Sequence, residues 1–388
     1  MTYEQAKSFL EECNQYAGEL TLQPLKEMLR RLGNPQDQLS FVHIAGTNGK
    51  GSVLALVSTV LKEAGYRVGR YISPTIFGYR ERIQVNEQYI SREDLVRLTE
   101  RIRETGQQML AEGLWHPTMF EAETALAFLY FAEQQCDLVV LETGMGGRTD
   151  ATNVIRHTVA AVLASISMDH MGFLGDTLAE IADNKAGIIK PGCTVVTIKQ
   201  EPEVEAAIRK QAAVCGCPVV TADGGLAVNR KRGLFSQTFD YQEWKEVKIP
   251  LSGEYQFTNG VLALKVLEVL KDKGYRLSEE TVRKGFQKTV WTGRFTVIAK
   301  DANREQRGEF LAVVKGTLRK LADQGINRKS LLAGMNYYEF KYREADYGST
   351  PKGLMWGLQS LDSWLYDGDP MMHLEYQHTF DALKKAVE

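Results

Sequence analysis

Residues 41–73, FVHIAGTNGKGSVLALVSTVLKEAGYRVGRYIS, set the tightest limit on what this 388-residue chain can fold into. An apolar run of strand length leads into a glycine-rich turn, a helical period follows, and a second apolar run closes the stretch. That order defines a βαβ unit whose turn lies at the carboxyl end of its first strand. Val53, Leu56, Val57, Val60 and Leu61 predict one apolar helix face, and Gly65 predicts where the helix ends. Within the turn, Gly46, Gly49 and Gly51 let backbone N–H groups point inward around an anion, and the helix adds the positive end of its dipole. Lys50 suits phosphate charge, and Ser52 suits phosphate or Mg²⁺. The spacing departs from the usual GxxxxGK[ST] loop, because Gly51 separates the lysine from the hydroxyl. A ligand-free strand-to-helix turn is the plainer alternative. The strand before, the helix after and the lysine inside favour phosphate.

Further apolar runs recur at 136–144 (CDLVVLETG), 158–166 (TVAAVLASI) and 193–199 (CTVVTIK), beside those at 40–45 and 67–73. Continuous rather than alternating runs suit strands covered on both faces, which predicts a parallel sheet with helices on either side. The carboxyl edge of such a sheet is its ligand site. Ser73, Glu142 and the pair Asp169–His170 all follow strand ends there, alongside Lys50 and Ser52. A carboxylate, an imidazole and a hydroxyl suit Mg²⁺, which needs few protein ligands beyond phosphate and water. Downstream, Thr177-x-x-Glu180 predicts a capping box, and Pro191-Gly192 predicts the close of that helical stretch. Lys185 lies inside it; taken alone, a helix lysine is a solvated surface charge.

Several function classes are disfavoured. The formal net charge is −2 with no Lys/Arg block, so no nucleic-acid partner is expected. No apolar stretch of about 18 residues occurs, so no membrane partner is expected either. The opening MTYEQAKSFLEECNQYAGEL predicts a polar amphipathic helix without the apolar core of a signal peptide. Five cysteines, an odd number, make no CxxC pair, and Cys215-Gly-Cys217 is too close for ordinary bridging. These features predict a protein of the reducing cytoplasm.

In order along residues 1–296 stand HIAGTNGKGS, YISPTIFGYRERI, TMFEAETALAFLYF, CDLVVLETGMGGRTDATNVI, SMDHMGFLGDTLAEIADNKAGIIKPG, LSGEYQFTNGVLAL and WTGRF. They resemble the folylpolyglutamate synthase/dihydrofolate synthase family, relatives of the Mur peptide ligases. The resemblance implies a P-loop, Mur-ligase-like α/β domain over 1–296 and an ATP-dependent ligation. A folate carboxylate would be phosphorylated, and the amine of glutamate would attack the acyl phosphate. It also implies roles. Lys50 and the amides of Gly46, Thr47, Asn48, Gly49, Lys50, Gly51 and Ser52 would hold the triphosphate of ATP. Ser73, Glu142 and His170 would bind Mg²⁺. Lys185 would be carbamylated, Asn259 and Arg294 would contact ATP, and Glu121 and Asp169 would line the site. The partners implied are folate, glutamate and ATP, and a monomer is expected. Three positions depart from the family pattern: Thr75 for histidine, Gly260 for alanine and Thr292 for proline.

The family's second α/β domain carries a DGAHNP motif, and none follows Phe295 here. From 301 the spacing predicts helices at roughly 303–323, 328–345, 351–366 and 377–387, a mainly helical C-terminal region over 297–388. Residues 301–388 resemble an interior segment of insulinase-like zinc peptidases of the presequence-protease type. Such enzymes need HxxEH, which is absent from the chain, so peptidase activity is not expected. The simplest account of the tail is a fusion or chimera. The ligase reading therefore has an alternative: a nucleotide-binding protein without ligase turnover.

Overall fold

The computed structural model describes residues 1–16, 21–75, 78–168, 174–233 and 236–291, with Ala312 and Gly316 beyond them. Those two residues are helical; the rest of the predicted C-terminal helices lie outside the described residues. The chain divides into two compact units, and every element named below belongs to the one formed by Met1–Asp169 and Leu174–Phe295.

In chain order the elements are α1 (Tyr3–Glu12), α2 (Gln23–Arg31), β1 (Phe41–Ala45), α3 (Lys50–Glu63), β2 (Val68–Tyr71), β3 (Ile83–Val85) and β4 (Gln88–Tyr89). Next come α4 (Arg92–Ala111), α5 (Met119–Glu133), β5 (Leu138–Glu142), β6 (Thr158–Leu163), α6 (Leu178–Ala186), β7 (Thr194–Ile198), α7 (Pro202–Cys215) and β8 (Val219–Ala222). The unit closes with β9 (Val228–Arg232), β10 (Gln237–Tyr241), β11 (Trp244–Ile249), α8 (Tyr255–Asp272) and α9 (Glu279–Lys288). The eight strands of the main sheet run in the order β4-β3-β2-β5-β1-β6-β7-β8. From β2 to β8 every pairing is parallel, with Phe41 opposite Val139 and Ile44 opposite Val162. The expected parallel sheet is therefore present, with an antiparallel edge, β3 and β4, added beside β2.

Alternation along each strand splits the core. Val42 and Ile44 of β1, with Leu138 and Val140 of β5, face the layer that contains α3, α8 and α9. Phe41, Val139 and Leu141 point the other way, into the layer of α1, α2, α4 and α5. On β6 and β7, Ala161, Leu163 and Val195 pack on α6 and α7. Opposite faces are apolar because helices cover both, which is why the strands read as continuous rather than alternating runs.

The single apolar face expected for α3 is corrected: every residue from Gly51 to Leu61 is buried. The helix lies between the sheet and a second helical layer, with the place of a Cβ on Gly285 of α9 only 2.6 Å from Val60. Gly65 does end it, at φ +92°, where Tyr66 N–H donates to the Leu61 carbonyl at 3.1 Å. Side chains of the antiparallel sheet β11-β10-β9 pack on α8, with the Phe239 ring edge-on to Phe257 at 5.8 Å. The place of a Cβ on Gly260 lies 3.0 Å from the Phe239 ring, which accounts for glycine where the family pattern has alanine.

Candidate active site

The turn between β1 and α3 is built from both sides. Thr47 and Asn48 N–H donate to the Ser165 carbonyl at 2.7 and 3.1 Å, tying the turn to the loop after β6. The Thr47 hydroxyl completes that tie, donating to the Ser167 carbonyl at 3.1 Å. Two of the seven amides expected to face phosphate are thus engaged within the protein. The first amides of α3, from Lys50 onward, have no acceptor inside the helix and form the anion-facing end. Gly49, the N-cap of α3, takes φ +91°, and a Cβ there would lie 2.4 Å from Asn259 Oδ1. Gly51 is needed for another reason: a Cβ there would meet the Trp291 ring at 2.3 Å. The glycine that separates lysine from hydroxyl is therefore a packing site for an indole.

Two lysines converge on the turn. Lys50 Nζ donates to the carbonyl of Gly46 at 2.9 Å. Lys185 Nζ, from α6, donates to the same oxygen at 3.3 Å. Only 2% of Lys185 is exposed, so the solvated surface position that its helix suggests on its own does not hold. The cause lies in the stretch GMGGRTDATN. Gly147 N–H donates to Asn184 Oδ1 at 3.0 Å, and Asn153 Nδ2 donates to the carbonyls of Arg148 and Gly187, both at 3.1 Å. A Cβ on Gly147 would sit 2.7 Å from the Lys185 carbonyl, so glycine lets this loop lie on the backbone of α6. The capping box at the other end of α6 is present, with Thr177 and Glu180 exchanging hydrogen bonds.

The loop is held to β1 by a buried relay. Asp150 accepts from Met145 N–H at 2.8 Å and from Thr152 N–H at 3.0 Å, and the Thr152 hydroxyl donates to it. His43 Nε2 lies 2.8 Å from the Thr152 oxygen. With that hydroxyl proton committed to Asp150, the imidazole is the donor. Burial first, and then the charge of Lys190, holds His43 down at about 3. Burial raises Asp150 against its hydrogen bonds.

On the other side, α8 reads the turn. Gln256 Nε2 donates to Ser52 Oγ at 3.1 Å, and Asn259 Nδ2 donates to Gln256 Oε1 at 3.0 Å. Ser52 is wholly buried and its oxygen engaged by this chain, rather than turned outward. Glu142, the last residue of β5, is buried at the same sheet edge. Ser73, two residues past β2, has a buried hydroxyl without a hydrogen-bond partner among the described residues. Glu121 caps its own helix, accepting from Thr118 N–H at 2.8 Å, and burial raises its carboxyl above the ordinary range. The neighbouring Phe120 ring lies where a Cβ on Gly144 would be, 2.6 Å away, so the start of α5 sits at the loop after β5. Asp169, His170 and Arg294 lie outside the described residues.

Sequence reasoning missed Gln256, Asn153, Asn184 and Asp150. The spacing of Gln256 three residues before Asn259 on one helix face was an available signal. Among the described residues no three His, Cys, Asp or Glu side chains gather around a common point, and no helix is long and apolar enough to cross a membrane.

A glycine-rich turn at the carboxyl edge of a parallel sheet, with Lys50 and Lys185 on one of its carbonyls, is the layout of a nucleotide-binding α/β domain. The family model of the Mur ligase middle domain matches residues 44–267. The dihydrofolate synthase/folylpolyglutamate synthase of Bacillus subtilis is 36% identical over 303 residues, 76% of this chain and 70% of that protein. The folylpolyglutamate synthase of Lacticaseibacillus casei is 36% identical over 281 residues, 70% of this chain and 65% of that protein. A solved FPGS–AMPPCP–folate complex superposes with a TM-score of 0.72 at 30% identity, covering 82% of this chain and 81% of the other. The chain belongs to the dihydrofolate synthase/folylpolyglutamate synthase family of ligases, and spans about two thirds of the length of these two relatives.

Proposed function

We propose that this chain is an ATP-dependent ligase that joins glutamate to a folate through an acyl phosphate, a folylpolyglutamate synthase that also has scope for dihydrofolate synthase activity. The observation that carries this is Lys50 in the glycine turn between β1 and α3, beside the first amides of the helix at the carboxyl edge of the parallel sheet. A positive charge beside open helix amides is what transfer of a terminal phosphoryl group requires.

In this reading Lys50 and the amides of the first turn of α3 hold the phosphates, while Gly46, Thr47, Asn48 and Gly49 shape the turn around them. Ser52, held by Gln256, keeps the helix start in place. Asn259 and Arg294 contact the nucleotide. The folate carboxylate attacks the terminal phosphorus, ADP leaves, and the glutamate amine then attacks the acyl carbon with loss of phosphate. Glu121 and Asp169 line the cleft and orient the two substrates.

Mg²⁺ is part of the reading. The unpartnered buried hydroxyl of Ser73 and the buried Glu142 are hard oxygen donors suited to it, and His170 would join them. When bound, the ion offsets charge on the phosphate oxygens. Lys185 is proposed to carry a carbamate, which turns a buried ammonium into an anion beside the turn; ¹³C NMR with labelled CO₂ tests this directly. A cytoplasmic monomer completes the proposal. The likeness of residues 301–388 to an insulinase-type segment gains no support from the relatives above, and no function is assigned to it.

The test is ADP release by the purified chain with Mg-ATP, with and without a reduced folate plus glutamate. Release that needs both substrates is the expected result. Nucleotide binding without folate- and glutamate-dependent release would overturn the ligase and leave a nucleotide-binding protein.

A further inference from the structure

Away from the nucleotide turn, at the amino end of the same sheet, three of the five cysteines meet. Cys193 immediately precedes β7, Cys217 lies two residues before β8, and Cys215 ends α7. β7 and β8 are parallel neighbours with Val195 opposite Val219. Two residues back along that register, Cys193 stands beside Cys217. Adjacent strands lie about 4.8 Å apart, within the Cα separation a disulfide needs. The side chains already face one another, with Sγ to Sγ at 3.7 Å, and both thiols are reduced. Cys217 Sγ also donates to the Lys190 carbonyl at 3.1 Å, which holds the sulfur in the corner between the strands.

We propose that Cys193 and Cys217 form an oxidisable dithiol, a modification site for small hydroperoxides that becomes a disulfide across β7 and β8. Cys217, at 9% exposed against 1% for Cys193, is the sulfur a small oxidant reaches first. Its sulfur displaces one oxygen of hydrogen peroxide, giving a sulfenic acid and water. Cys193 Sγ then attacks that sulfur, the S–S bond forms, and the hydroxyl departs with a proton as a second water. Two electrons pass from the two thiols to the peroxide. The Cys193 thiol is pushed up to about 12, mainly by burial, so little of it is thiolate at neutral pH. Cys215, joined to Cys217 through a single glycine, is a bystander; the bridge spans strands rather than the CGC stretch.

The bridge closes the loop from 193 to 217, which holds β7 and α7, and follows directly on α6 with its Lys185. It therefore constrains the unfolded chain without touching the carboxyl edge.

Treatment of the full chain with hydrogen peroxide is expected to lower free thiols from five to three, with a peptide containing Cys193 joined to the one containing Cys217. Cys215→Ala should keep the link and Cys217→Ala should lose it. The oxidised chain should melt roughly 5–10 °C higher than the reduced one, and dithiothreitol should reverse the shift. Oxidation confined to Cys215, a link that survives Cys217→Ala, or joining only between two chains would each overturn the proposal. The wild-type peptide map decides the matter even if a variant fails to fold.

Discussion

Two cationic sites in the same domain are treated in opposite ways. Arg70, on β2, is 4% exposed and ringed by acceptors: the hydroxyls of Ser58 and Thr59, and Glu87 Oε1, the last two at 2.7 and 2.8 Å. Burial lowers it to about 10 against the pull of Glu87, so it stays charged and paired. At the turn before α3, Lys50 instead donates to the neutral carbonyls of Gly46 and Thr47 at 2.9 and 3.4 Å. A buried charge matched by oxygens of its own protein is structural. In the proposed reading, Lys50 on the neutral backbone carbonyls of its own turn, beside the first amides of α3, meets an anion that arrives from outside.

If that contrast is right, substitutions on the two sides separate activity from stability. The largest effect is expected from Lys50→Met, which should cut folate- and glutamate-dependent ADP release by roughly 10²–10³-fold. The melting temperature should barely move, because the lysine is only half-buried and ties to its own turn. Parallel loss of stability would make Lys50 a structural residue and erase the contrast.

Arg70→Met should do the reverse. Removing the guanidinium leaves Glu87 and two buried hydroxyls short of a donor, a cost of about 3 kcal/mol in urea unfolding. Turnover per folded molecule should stay within a factor of two or so. A large loss of turnover at unchanged stability would place Arg70 in the site instead.

The smallest effect sharpens the comparison through pH. His43 titrates at about 3 when folded and near 6.5 when unfolded. Between those values the unfolded chain binds the proton, so His43 costs stability as pH falls. From pH 7 to pH 5 the loss is about 2 kcal/mol. Asp150 has the opposite sign: its raised folded value favours folding as pH falls toward the ordinary carboxylate range. The difference between the wild-type profile and that of His43→Gln reports the imidazole together with any change it makes at Asp150 through Thr152. Identical slopes in the two proteins would show that His43 is protonated without cost, and that the relay to Thr152 does not hold it neutral.

Much of the site was legible because strand ends are. The apolar runs at 40–45, 136–144 and 158–166 correspond to β1, β5 and β6, and their carboxyl ends carry the turn, Glu142 and the loop through Ser165. The antiparallel edge, the sheet of β9 to β11 and helices α8 and α9 were not read from periodicity. β9, VNRKR, is exposed along its whole length, so it carries no apolar alternation to detect. α8 is buried on most of its circumference and lacks the one-sided stripe that marks a surface helix.

What the sequence alone determined is local: a βαβ unit, a glycine-rich turn with a lysine inside it and a capped helix at 177. Each depends on neighbours a few residues away. What only the tertiary structure decided is how distant segments share one space. Lys185 is a buried group because Gly147, Asn153 and Asn184 lay one loop on its helix. Ser52 faces inward because Gln256, 204 residues later, donates to it. Gly51 is required because an indole from residue 291 fills the volume of its missing side chain. Spacing along a chain encodes helix faces and strand ends, whereas burial and pairing belong to contacts that the fold makes only once it has closed.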